Sequence, residues 1–152
     1  MKKLISLITV FSLVFSITGF CFAANPTAES QTVTTATLED GTVVETVFTV
    51  YESLARSKMK SASVTNNYSD SNGNKMASVT LNASFAYDGD DAWVLSSDSD
   101  VTEYNGWSYG NERITEGRGT VKLTAKLTKS GHTSQNVSMS LSCSANGTIT
   151  HS

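Results

Sequence analysis

Between Ala77 and Tyr87 the chain alternates without a break. Ala77, Val79, Leu81, Ala83, Phe85 and Tyr87 are separated by Ser78, Thr80, Asn82, Ser84 and Ala86. Period two over that length describes a strand with one buried and one wet face. A helix would scatter the same apolar residues around its circumference.

The strand implies a partner. Asn72-Gly73 lies just before it, and this dipeptide favours a tight type I′ hairpin turn. A two-residue loop there pairs Ser71 with Asn74, so the numbers of paired residues sum to 145. Tyr68 then faces Ala77, Val64 faces Leu81 and Ala62 faces Ala83, with the apolar side chains of both strands on one face. A slip of one residue would split them between faces.

The C-terminal region repeats the pattern. Val121, Leu123, Ala125 and Leu127 alternate with Lys and Thr, and Val137, Met139, Leu141 and Cys143 alternate mainly with serines. A two-residue Ser130-Gly131 loop would set apolar residues against serines. An odd-length loop of three or five residues centred on Gly131 instead sets Leu123 against Met139 and Val121 against Leu141.

Between the hairpins, Ala92 to Ser97 and Trp107 to Tyr109 read as further strands, bounded by turns at Asp88-Gly89 and Asn105-Gly106. Thr42 to Lys58 carries two signals. Val44, Val47, Phe48, Tyr51, Leu54 and Ala55 fit a helical stripe, whereas the β-branched crowding of Thr42 to Val50 favours a strand. The expectation is a strand over Thr42 to Val50 and a short turn or helical piece over Glu52 to Ser57. About seven short strands with turn punctuation describe an all-β domain. The first reading is a single antiparallel β-sandwich of immunoglobulin-like architecture, and the second is an open β-barrel.

The N-terminus has a different character. Lys2 and Lys3 precede an apolar run from Leu4 to Phe22, and Ala23 and Ala24 follow. A charged start, an apolar centre and a small-residue exit make a secretory signal peptide. Residues 1–23 are therefore expected to be removed, 24–31 to form a flexible leader and 32–152 to form the sandwich. Of 152 residues, 129 then remain, an ordinary single domain. Losing Lys2 and Lys3 leaves nine basic against 14 acidic residues, a formal charge of −5. That balance argues against nucleic acid as a partner, and no membrane span is expected after cleavage. Cys143 is then the sole cysteine, which excludes an internal disulfide. Its phase with Val137, Met139 and Leu141 makes it a small buried side chain.

Ser84-Phe85-Ala86-Tyr87-Asp88-Gly89, Tyr104-Asn105-Gly106-Trp107 and Leu141-Ser142-Cys143-Ser144-Ala145-Asn146-Gly147-Thr148-Ile149 together resemble the small secreted β-rich proteins of Gram-positive anaerobes. The resemblance implies export, to the medium or the cell envelope, and β-structure. It implies no activity.

The inventory for chemistry is sparse. The two histidines are His132, in a predicted hairpin loop, and His151, beside the last residue. A Ser–His–acid site needs a base held on a rigid scaffold, so no catalytic residue is assigned and a secreted hydrolase ranks last. One cysteine and two distant histidines do not make a zinc set. Calcium is the one cofactor considered. Asp88, Asp90 and Asp91 share a turn, and Asp98, Asp100 and Glu103 lie on the next predicted connection. Convergence of the two would gather hard carboxylate ligands, although acidic turns are usually only solvated. Tyr104, Trp107 and Tyr109 form the candidate ligand platform, with Trp107 read first as a core plug.

The function these features suggest is a secreted or cell-envelope, non-catalytic binding domain whose partner is a protein or glycan at the cell surface. A small secreted toxin or antagonist of neighbouring bacteria is the alternative.

Overall fold

The computed structural model describes residues 28–51 and 58–152; the signal-peptide reading and the turn expected over Glu52 to Ser57 lie outside them. Among the described residues, nine strands form two antiparallel sheets. The first contains β1 (Ala28–Thr37), β2 (Val43–Tyr51), β3 (Met59–Ser69), β4 (Lys75–Tyr87) and β5 (Ala92–Glu103), side by side in that order. The second contains β6 (Ser108–Gly117), β7 (Thr120–Thr128), β8 (Gln135–Cys143) and β9 (Ile149–His151). No helix of the described residues is long and apolar enough to cross a membrane.

This is a β-sandwich, not a barrel. Its likeness to immunoglobulin domains stops at two packed sheets. Each sheet is a sequential meander, whereas immunoglobulin connections follow a Greek key.

The core is made by the alternating residues. Val64, Val79, Leu81 and Phe85 from one sheet and Val121, Leu123, Leu127, Val137, Met139 and Leu141 from the other are all but solvent-free. Cys143 is buried at the end of β8, as its phase indicates, and burial pushes its thiol pKa up. Phe48 of β2 and His151 of β9 stack with ring centroids 4.4 Å apart, joining the two sheets. Elsewhere between the sheets, Ser97 and Ser99 of β5 donate to Glu116 and Glu112 of β6, at 2.7 and 2.8 Å.

Both hairpin registers follow the hydrophobic pattern. Tyr68 pairs with Ala77, Val64 with Leu81 and Ala62 with Ala83. In the second sheet, Leu123 pairs with Met139 and Val121 with Leu141. The first turn differs from expectation. Asn72 does not have the positive φ that type I′ needs; only Gly73 does, at 81°. The loop is Ser71-Asn72-Gly73, closed by Asp70 N–H to Asn74 O and Gly73 N–H to Asp70 O, both at 2.9 Å. Ser69 therefore faces Lys75, and a bulge at Met76 restores the predicted register from Tyr68 onward. The same closure recurs at 38–42 and 144–148, with Gly41 and Gly147 at φ 85° and 81°. The other loop remains centred on Gly131 but is wider than three or five residues, since the last pair is Leu127 with Gln135.

Other expectations need correction. The strands are longer and more numerous than the seven short ones anticipated. The strand expected over Thr42 to Val50 is present as β2, whereas of the Trp107 to Tyr109 segment only Ser108 and Tyr109 belong to β6, with Trp107 in the turn before it. Of the stretch read as a flexible leader, residues 28–31 belong to β1. Every residue of β1 is exposed, so it carries no buried-face alternation to read.

Candidate functional site

A meander sends successive connections to alternate ends of the sandwich. The first, third, fifth and seventh therefore share one end: turn 38–42, turn 70–74, turn 104–107 and loop 129–134. Two clefts open there, of about 250 and 340 Å³. Asp70, Trp107 and His132 line both. Asp40, Thr42 and Gln135 belong to the first cleft, and Asn74, Lys75, Asn105 and Lys129 to the second.

Local sequence explains how each group is held. Tyr104-Asn105-Gly106-Trp107 is a type I′ turn, with Asn105 at φ 53°, Gly106 at φ 74° and Trp107 N–H donating to Tyr104 O at 3.0 Å. It turns the chain from β5 to β6 and delivers Trp107 to the mouth of the core, where 7% of it stays exposed. The His132 ring lies against this indole, 5.7 Å between centroids and tilted by 53°. Asn105 Nδ2 donates to the Lys75 carbonyl at 2.8 Å, and the Lys75 ammonium sits 5.6 Å from the centre of the Tyr104 ring.

Two carboxylates are committed to the turns beneath. Asp40 accepts from the Thr42 N–H at 3.0 Å, from the Thr42 hydroxyl at 3.1 Å and from the buried Gln135 amide across the sandwich. The Thr42 N–H is the main reason its pKa lies below the ordinary value of 3.8. Asp70 accepts from the N–H groups of Asn72 and Asn74 and from the Asn74 side chain, each at 2.9 Å. The Asn74 side chain contributes most to its lowered pKa, and Lys129 adds attraction. Carboxylate, amide, hydroxyl, ammonium and aromatic groups thus meet in one place. Such a lining reads a polar ligand by hydrogen bonds and ring contact.

Of the aromatic platform anticipated from the sequence, only Trp107 lines the clefts. Tyr104 lies half-buried next to Lys75. Tyr109 is on β6, where its hydroxyl donates to Glu112 at 2.7 Å. Partial burial, then that carboxylate, raise its pKa.

The proposed calcium ligands do not converge. Asp88, Asp90 and Asp91 sit at the opposite end, and Asp88 Oδ1 is occupied by the N–H groups of Asp90 and Asp91 at 2.9 and 2.8 Å. Hydrogen bonds from those amides hold the Asp88 pKa low. Asp91 pairs with Arg118 at 3.3 Å. Asp98 and Asp100 belong to β5 rather than to a connection, and Asn82 Nδ2 donates to both, at 2.6 and 3.3 Å. Asp98 lies seven positions along extended chain from Asp91, a distance of roughly 20 Å. Among the described residues no group of three or more His, Cys, Asp or Glu side chains is arranged to hold a metal ion.

Sequence reasoning missed Asp40, Asp70, Gln135 and the turn asparagines. The Asp-Gly and Asn-Gly signals locate their turns, and only the meander order brings those turns together. No protein family, curated protein or solved structure matches this chain.

Proposed function

We propose that this chain is an exported, non-catalytic binding domain that takes a glycan of the cell surface at the Trp107 end of the sandwich. The observation that carries the reading is the meeting of two clefts on Trp107 and His132, walled by side chains that both donate and accept hydrogen bonds. Sugar hydroxyls require both roles, and ring faces contact their C–H surfaces. The export signal in the sequence supports the location.

The test is a glycan array followed by calorimetry on the strongest hit. His132 is exposed and Lys129 half-exposed, so His132→Ala and Lys129→Ala leave the core intact. Each should weaken binding by about tenfold or more without moving the unfolding temperature. Binding that ignores both substitutions would move the site elsewhere. Turnover of the bound glycan would make the domain an enzyme.

A further inference from the structure

The edges of the two sheets are unequally guarded. On β5, Asp98, Asp100 and Glu103 put negative charge along the strand, and its serines are tied across to β6. The edge strand β6 is broken by a bulge between Gly110 and Arg113, where Asn111 has φ 54°, and it carries Glu112, Arg113 and Glu116. The edge strand β9 has three residues. Charges, bulges and shortness are the devices that stop a sheet edge from pairing with another chain.

The fourth edge, β1, has none of them over most of its length. Ser30 to Thr37 contains no charge, no proline and no glycine, and five of its residues are β-branched. One flank pairs with β2 in continuous register from Ser30 to Thr37, and among the described residues no strand pairs with the other flank. Thr32, Thr34 and Ala36 are exposed, and so are Gln31, Val33 and Thr35, so the second sheet covers neither side of the strand. Val33 is 55% exposed, more than any other large apolar side chain described.

We propose that β1 is a self-association edge, pairing antiparallel with β1 of a second copy about a two-fold axis at Val33. Two features select a copy of this chain as the occupant. The chain is acidic, so a second copy is repelled at the charged β5 edge and meets no charge along Ser30 to Thr37. The strand is also self-complementary in this register. Val33 meets Val33, Thr32 meets Thr34, Gln31 meets Thr35, Ser30 meets Ala36, and Glu29 falls opposite Thr37 rather than a like charge. The five-stranded sheets become one sheet of ten strands with its wet face continuous. A single strand edge buries less than the roughly 1,600 Å² of a standard interface, so the dimer is a concentration-dependent one.

Sedimentation velocity over a concentration series tests the association. The protein should pass from monomer to dimer, and Val33→Lys, which puts two ammonium groups together at the axis, should raise the dissociation constant by about tenfold or more with unfolding unchanged. Cysteine pairing tests the register in a Cys21→Ala, Cys143→Ala background. Val33→Cys should cross-link to itself under mild oxidation. Gln31→Cys should not, but should do so when mixed with Thr35→Cys. A monomer at every concentration with no Val33→Cys cross-link overturns the proposal, as does a dimer indifferent to Val33→Lys. Cross-linking of Val33→Cys to other envelope proteins alone would also overturn it, assigning the edge to a foreign strand.

Discussion

The ring of Tyr87 lies against Gly147 so closely that a Cβ on that glycine would come within 2.4 Å of Tyr87 Cζ. Tyr87 ends β4 in the first sheet, and Gly147 closes the β8–β9 turn of the second. Their contact therefore fastens the sheets at the end opposite the clefts. Gly73 is a natural control, with the same φ of 81° and open space around it. Gly73→Ala should cost about 1–2 kcal/mol from backbone strain alone. Gly147→Ala adds the collision with Tyr87 and should cost more than about 3 kcal/mol in urea unfolding. Equal costs would show that Tyr87 moves aside freely.

Leu81 and Leu123 face each other's sheet with no exposed surface, and Leu→Ala at either should cost about 2–5 kcal/mol. Thr80 and Thr124 point the other way. Thr80→Ala loses a hydrogen bond to Thr65 at 2.8 Å on the wet face and should cost less than about 1 kcal/mol, as should Thr124→Ala. Urea melts of the four variants check the face assignment.

These faces were legible because one side of each strand is dry and the other wet. The register at Val64 and Leu81 follows from that, even though the turn that sets it is three residues with a bulge rather than a two-residue type I′ turn. The Asn-Gly pair that does adopt type I′ geometry, Asn105-Gly106, joins two sheets instead of closing a hairpin, and nothing local distinguishes the two uses. Strand β1 was partly hidden because Ser30 to Thr37 is wet on both faces. Trp107 could be placed at the end of the core, but its neighbours could not. His132 is 25 residues away in sequence and Asp40 further still, and only the order of strands brings them together.

Asp40, Asp70 and Asp88 have pKa values below the ordinary 3.8 because turn N–H and amide groups donate to the ionised form. A lowered folded-state value stabilises above the unfolded-state value and is lost as pH falls through the folded one. The unfolding temperature should therefore hold from neutral pH down to about 4 and fall below that. Asp40 and Asp88 are solvent-exposed and Asp70 is half-exposed, so the effect is modest. The triple Asp→Asn variant should start lower at neutral pH and decline less steeply; calorimetry from about pH 7 to about pH 2 compares them. Parallel curves would assign the acid loss to other groups.

The separation of Asp88, Asp90 and Asp91 from Asp98 and Asp100 gives a direct expectation for calcium. A ligand held only by the native state raises the unfolding temperature with its concentration. With the two groups roughly 20 Å apart along β5, the melt should be the same in chelator and in millimolar calcium. A rise that Asp90→Asn with Asp100→Asn abolishes would require the turn and the strand to come together in solution.

Gln135 and Asp40 give a test of the cleft that does not depend on any ligand. Gln135 is 8% exposed at the start of β8, and its amide donates to a carboxylate from the β1–β2 turn, 95 residues earlier. Removing one partner strands a buried polar group, whereas removing both need cost little. Asp40→Ala should therefore lower the unfolding temperature by a few degrees. Gln135→Leu alone removes the amide and leaves an exposed carboxylate that water can solvate, so it should be milder. Adding Gln135→Leu to Asp40→Ala should recover much of the loss. The double-mutant cycle must then show coupling between the two sites. Strict additivity would mean that Asp40 holds its own turn through Thr42 and does not clamp the two sheets across the mouth of the cleft.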